Sequence, residues 1–302
     1  MTESATVSAT SQGRKRISDD HPSVPEVLDA AVRALGGTHR PGQVEMAEAV
    51  EQAISTGEHL LVQAGTGTGK SLAYLVPALL HADRTGEPVV VATATLALQA
   101  QLVDRDLPTL SDAVEPIFGR RPTWATVKGR ANYACLHRVR DGVPDDDGDG
   151  LIPLDEVDLG PLATEVIRAR HWAEEQADNG DVGDRDRLVP GVSDRAWGQV
   201  SVTPRECLGA ARCPYATECF VERSRAGAAD VDIVVTNHAF SAIDAIEGMS
   251  MLPDHDLVVV DEGHELAARV TNVVTDQLWP GSVERAATRS RSHVDRDDAE
   301  DL

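Results

Sequence analysis

Leu60-Leu61-Val62-Gln63-Ala64-Gly65-Thr66-Gly67-Thr68-Gly69-Lys70-Ser71 decides how this chain is read. Apolar residues lead into a glycine-rich loop. The loop ends in Gly-Lys-Ser, and a helix-like run from Leu72 to Leu80 follows. Strand, loop, helix is the order that a phosphate-binding P-loop requires. Its glycines let backbone N–H groups turn inward around phosphates. The helix N-terminus adds the positive end of its dipole. Lys70 is placed to reach the β- and γ-phosphates of a nucleotide, and the Ser71 hydroxyl to ligate Mg²⁺. Ala64 stands where the usual pattern has its first glycine. The rival is a Gly-Thr surface turn, which leaves both the flanking pattern and the Gly-Lys-Ser ending unexplained.

Upstream, Ser23-Val-Pro-Glu26 reads as a capping box, with Leu28, Ala31, Val32 and Leu35 on one helical face and Gly36-Gly37 ending the helix. His39-Arg40-Pro41-Gly42-Gln43 comes next. A second helix is expected from about Val44 to Ile54, stopped by Gly57. Downstream, Glu87-Pro88 opens a strand over Val89–Thr93, and Thr95 caps a helix running to Val103. Val231 to Thr236 and Leu257 to Val260 are two more buried-strand patterns. This alternation predicts an α/β fold with a parallel sheet and crossover helices. Polar residues follow the late strands, Asn237-His238 and Asp261-Glu262-Gly263-His264, where such sheets hold ligands.

Leu257-Val-Val-Val-Asp261-Glu262 has the form of a Walker B element. A buried strand delivers Asp261 to hold Mg²⁺ and Glu262 to polarise an attacking water. Paired acids are common in an acidic chain, so the upstream P-loop gives the motif its weight. His264 reads either as a solvated loop histidine or as a sensor.

Between about Arg120 and Ala229 the α/β rhythm breaks, and this stretch reads as an insertion. It holds all four cysteines: Cys135, then Cys207, Cys213 and Cys219 at five-residue gaps. Zinc sites usually pair cysteines two to four residues apart. The looser spacing suits an iron–sulfur cluster better, with zinc second and unlinked buried thiols third. Nearby are Lys128, Arg130, Arg138, Arg140, Arg205, Arg212, Arg223 and Arg225, with Tyr133, Tyr215 and Phe220. They form either a nucleic-acid patch or arginines paired with the abundant acids. Asp145 to Glu156 matches a calcium loop by spacing. Gly142, Pro144 and Pro153 spoil it, and it reads as a solvated acidic loop.

The chain has 302 residues and a formal charge of −22, which opposes bulk electrostatic binding to nucleic acid and restricts any such contact to local patches. No apolar run approaches the roughly 18 residues of a membrane span. Residues 1–20 are polar, lack the apolar centre of a secretory signal, and read as a disordered leader. The cytoplasm is the default compartment, and there four cysteines suggest a metal site over disulfides.

Four segments, in this order, resemble the DinG/XPD-like iron–sulfur helicases of superfamily two: Ala64 to Ser71, Lys128-Gly-Arg-Ala-Asn-Tyr-Ala-Cys135, Val234-Val-Thr-Asn-His238 and Asp261-Glu-Gly-His264. Gly263 departs from the family's usual alanine. The resemblance covers roughly Arg40 to Leu266. It implies a RecA-like sheet with helices on both faces, interrupted by an iron–sulfur insertion. It also implies ATP, Mg²⁺ and a [4Fe–4S] cluster on Cys135, Cys207, Cys213 and Cys219, with 5′-to-3′ unwinding of single-stranded or forked DNA. Arg40 and Gln43 look like the adenine-sensing element. Ala64, Gly65, Thr66, Gly67, Thr68, Gly69, Lys70 and Ser71 would cradle the nucleotide. Thr93 and Thr95 fall in the strand-contacting segment, and His264 would couple hydrolysis to domain motion.

The expected organisation is a leader over 1–20, motor domain one over 21–119 and 230–281, the cluster insertion over 120–229, and a charged tail over 282–302. No second sheet pattern follows Leu266. The chain is therefore expected to be the N-terminal part of a helicase: either the sequence is truncated, or a second polypeptide supplies the second motor domain. The rivals are a non-catalytic module that binds nucleotide or nucleic acid and a zinc-containing P-loop ATPase.

Overall fold

The computed structural model describes residues 22–38, 40–65, 67–142, 160–248, 250–275, 278 and 280–290. Helices α1 (Val24–Ala34), α2 (Pro41–Thr56) and α3 (Lys70–Thr85) precede strand β1 (Val89–Thr93). Helices α4 (Leu96–Gln101) and α5 (Leu107–Phe118) follow, then β2 (Trp124–Thr126). Helices α6 (Leu136–Arg140), α7 (Pro161–Asn179), α8 (Asp194–Trp197) and α9 (Phe220–Gly227) separate β2 from β3 (Ile233–Asn237). Last come α10 (His238–Glu247), β4 (Leu257–Val260), α11 (Leu266–Val274) and α12 (Pro280–Ser290).

The strands form one parallel sheet in the order β2-β3-β1-β4. Val89 lies opposite Ile233 on one side and Leu257 on the other, so β1 is central. Its apolar run follows from burial on both faces. Val89, Val91, Ile233 and Val235 pack into a core with α1, α3 and α5. Val90 and Val234 face the other way, against Val127, Phe240, Met251 and Leu252. The sheet and its helix-covered faces match the α/β expectation.

Four local expectations change. Ser23 makes no side-chain cap bond; α1 starts with the Ser23 carbonyl accepting Val27 N–H at 3.1 Å. Residues 60–63 form no strand, for they bond to no described strand; Leu61 is fully exposed, and the β4 edge leaves Val258 and Val260 42% and 37% exposed. The sheet extends past residue 120, because β2 lies within the stretch read as an insertion and pairs with β3. The tail read from Ser282 continues as helix α12 to Ser290, where Ala286 and Ala287 favour a helix. The Thr95 cap is present: its hydroxyl accepts Leu98 N–H at 3.3 Å.

The cysteine-bearing region has its own core, built on Tyr133, Leu136, Leu188, Trp197 and Phe220. The leader and the acidic loop from Asp145 to Glu156 lie outside the described residues. No described helix is long and apolar enough to cross a membrane.

Candidate nucleotide-binding site

The site begins where the glycine loop enters α3. Gly67 and Gly69 take φ of +82° and +83°, backbone that side chains disfavour. At Gly69 a Cβ would also sit 2.2 Å from Gln43 Nε2 and would push that side chain off the loop. Gln43 is buried at the start of α2, and its Nε2 donates to Gly69 O at 2.9 Å. Arg40 donates to Gly67 O, and the Thr68 hydroxyl to Gly65 O. The start of α2 therefore holds the loop from one side, which gives Arg40 and Gln43 a direct structural link to it. Gly65 is exposed, while Ala64 and Ser71 are half-buried. Thr66 lies outside the described residues. The first N–H groups of α3 have no helical carbonyl to meet, so the loop opens onto an anion-binding helix end.

The carboxyl end of β4 meets this helix. Lys70 Nζ lies 3.1 Å from Glu262 Oε1, joining positions 192 apart. Asp261 continues the ladder, its N–H donating to Ala92 O at 2.9 Å. Its Oδ1 accepts Glu262 N–H at 3.0 Å, and its Oδ2 accepts the Tyr74 hydroxyl at 3.2 Å. Burial, then the Asp261 charge, pushes the Tyr74 phenol well above its ordinary pKa, so it is a donor at neutral pH. The Asp261 carbonyl faces His238 Nε2 at 2.8 Å. A carbonyl only accepts, so this nitrogen carries the proton. Glu262 sits at φ +55°, rare for a residue with a Cβ. His264 is 71% exposed, with Nδ1 3.4 Å from Glu262 Oε2. Thr93 is buried at the end of β1, and Thr95 opens α4.

Lys70, Ser71, Asp261, Glu262 and His264 thus gather at one edge of the sheet. Among the described residues no cation pairs with Asp261, and Tyr74 bonds both to this carboxylate and to the Ser71 side chain, so a carboxylate and a hydroxyl, oxygen donors that suit Mg²⁺, share one phenol. Tyr74 and the buried His238 are contacts that sequence reasoning did not assign. The only signal for Tyr74 was a polar tip three residues beyond Ser71 in the otherwise apolar run from Leu72 to Leu80.

The four cysteines are half-buried free thiols; Cys135 precedes α6 and Cys219 precedes α9. Burial raises the Cys135 thiol, N–H groups of Arg138 and His137 oppose this, and Cys207 and Cys213 add to the rise. Cys207 and Cys219 both lie within electrostatic reach of Arg130. The four therefore share one neighbourhood. Among the described residues, however, no three His, Cys, Asp or Glu side chains converge closely enough to hold a metal ion.

Four of the eight nearby cations form ion pairs among the described residues; Lys128 meets Asp184 and Asp186. Arg130 meets Glu222, Arg138 meets Glu206, and Arg140 meets Glu174 and Glu218. Tyr133 and Phe220 are not open faces for bases: both are buried, because the insertion needs them as core. Tyr215 is half-buried, with Arg140 5.0 Å above its ring.

The family model described as DEAD/DEAH box helicase matches residues 41–123. A Mycobacterium tuberculosis protein named ATP-dependent helicase DinG is 54% identical over 277 residues, covering 90% of this chain and 41% of that protein. The Escherichia coli ATP-dependent DNA helicase YoaA is 38% identical, over 75% of this chain and 33% of its own length. A Bacillus subtilis protein named 3′-5′ exonuclease DinG is 28% identical, over 76% of this chain and 23% of its own length. The chain spans at most 41% of the length of these relatives. Identity of this level along nine tenths of the chain, joined to a helicase match across the P-loop part of the sheet, makes this a DinG-like helicase sequence that corresponds to a portion of those longer proteins.

Proposed function

We propose that this chain is the nucleotide-hydrolysing motor portion of an ATP-dependent DNA helicase. The observation that carries the reading is the 3.1 Å contact between Lys70 and Glu262, which brings a P-loop and a paired-carboxylate strand end into one site. Lys70 exchanges Glu262 for the β- and γ-phosphates when ATP binds, and this frees Glu262 to orient the attacking water. Ser71 and Asp261 would hold Mg²⁺, which neutralises phosphate charge when bound. Arg40 and Gln43 brace the loop on the adenine side. His264, exposed beside Glu262, is suited to report the state of the site to a second motor domain supplied from outside residues 1–302. Relatives named ATP-dependent DNA helicase support DNA as the substrate. Single-stranded or forked DNA and 5′-to-3′ movement are the finer reading, taken from the sequence resemblance.

The reading extends to a [4Fe–4S] cluster on Cys135, Cys207, Cys213 and Cys219. Four free thiols in one neighbourhood support it, and such a group would tie the separate loops of the insertion together. The test of the nucleotide site is calorimetric titration with ATP and Mg²⁺. Lys70→Ala should weaken binding and leave the melting curve unchanged, because this lysine faces ligand rather than core. Equal affinity in parent and variant would sink the assignment.

A further inference from the structure

We propose that Tyr74 is a positioning residue that sets the Asp261 carboxylate for its metal ion, an inference that rests on the nucleotide-site reading above. Tyr74 lies three residues beyond Ser71 on α3, which puts the two side chains on one face of the helix. The ring is 3% exposed and belongs to the core beneath the sheet. The hydroxyl alone leaves that core, donating to Asp261 Oδ2 at 3.2 Å. The other oxygen, Oδ1, is taken by Glu262 N–H at 3.0 Å. The carboxylate is thus held from two sides, by a helix it does not belong to and by the peptide that follows it. Each carboxylate oxygen has more than one acceptor direction, so the phenol leaves room for a metal ion or its water.

The ring and the hydroxyl do separable work. A phenylalanine would fill the same volume among Leu72, Leu75 and Val76. Only the hydroxyl reaches the strand end, and the Ser71 side chain of the same helix bonds to that hydroxyl. The bond therefore sets the distance between the two metal-holding groups, Ser71 on α3 and Asp261 after β4. Hydrogen-bond partners behind a ligating carboxylate typically change metal affinity about 10-fold or more when removed.

The test uses the whole chain and Tyr74→Phe, with a non-hydrolysable ATP analogue titrated by calorimetry without metal and across a Mn²⁺ series. Metal-free analogue affinity should match the parent. The Mn²⁺ concentration for half-maximal tightening should rise about 10-fold. In an Asp261→Asn background, Tyr74→Phe should cause no further shift, since the hydroxyl acts through that carboxylate. An unchanged Mn²⁺ dependence would overturn the proposal. So would a full additional shift in the double variant, or loss of cooperative melting by Tyr74→Phe, which would assign the hydroxyl to the core. A parent chain that shows no metal-dependent analogue binding would instead refute the nucleotide-site reading itself.

Discussion

The Lys128 ammonium lies 2.6 Å from Asp184 Oδ2 and 2.6 Å from Asp186 Oδ2. Lys128 stands just beyond β2, and the two acids belong to the cysteine-bearing region. One buried cation thus joins that region to the sheet. Beside it the Tyr133 hydroxyl accepts Lys128 N–H at 3.2 Å and meets Ser224 Oγ at 3.0 Å. Burial alone would lower the Lys128 pKa; Asp184 and Asp186 more than offset this, and the net direction is upward.

Lys128→Met should therefore destabilise the chain by about 3 kcal/mol at neutral pH, because it leaves the buried Asp184 carboxylate with the Asp186 N–H and no cation. Urea unfolding measures it. A raised pKa means that the stabilisation is complete below the unfolded value, about 10.4, and is lost as pH rises through the higher folded value. From neutral pH upward, the gap between parent and variant should narrow only in that alkaline range. A gap that closes instead between pH 5 and 8 would assign the effect to another group.

Arg120 makes a comparable clamp between α3 and the foot of β3. Its guanidinium grips Asp232 at 2.8 and 2.7 Å and Asp83 of α3 at 2.7 Å. Asp232 is fully buried at the foot of β3. Arg120→Met should cost about 3 kcal/mol. Arg120→Lys should fall between parent and Arg120→Met, because an ammonium keeps the charge and loses the fork. Thermal melts of all three proteins check the ranking; equal melting of the lysine variant and the parent would show that charge alone suffices.

Protein purified anaerobically under iron-replete conditions should be brown and carry about four irons per chain. Cys213→Ser should lose the colour and loosen the region between β2 and β3, because metal binding and local folding are coupled. Limited proteolysis and iron analysis read both effects. Stoichiometric zinc with negligible iron would replace the cluster with the zinc alternative.

The 302-residue chain by itself should bind nucleotide and separate no strands. Its described residues contain one parallel sheet, and unwinding needs two domains that open and close on the strand. A far-side arginine from such a partner is worth roughly 10³–10⁵ in related phosphoryl transfer. Strand displacement on a duplex with a 5′ overhang tests this. Robust ATP-dependent unwinding by the lone chain would refute the expectation; unwinding that needs an added second polypeptide would support it.

The sequence alone determined strands β1, β3 and β4, the Gly-Lys-Ser loop and the Asp261-Glu262 strand end. Each is written in neighbouring residues: β1 and β4 in unbroken valine-rich runs, the loop in its glycines. Local patterning misled at Leu60 to Gln63, because a strand exists only where another backbone meets its N–H and C=O groups. It also presented Tyr133 and Phe220 as open aromatic faces, though the insertion needed them as core. Only the tertiary structure decided that Tyr74 reaches Asp261, 187 positions away, and that Lys128 lies between Asp184 and Asp186. Those contacts depend on how α3 is rotated against the sheet and where the insertion folds back. Neither is encoded in local periodicity, because packing of distant segments sets both.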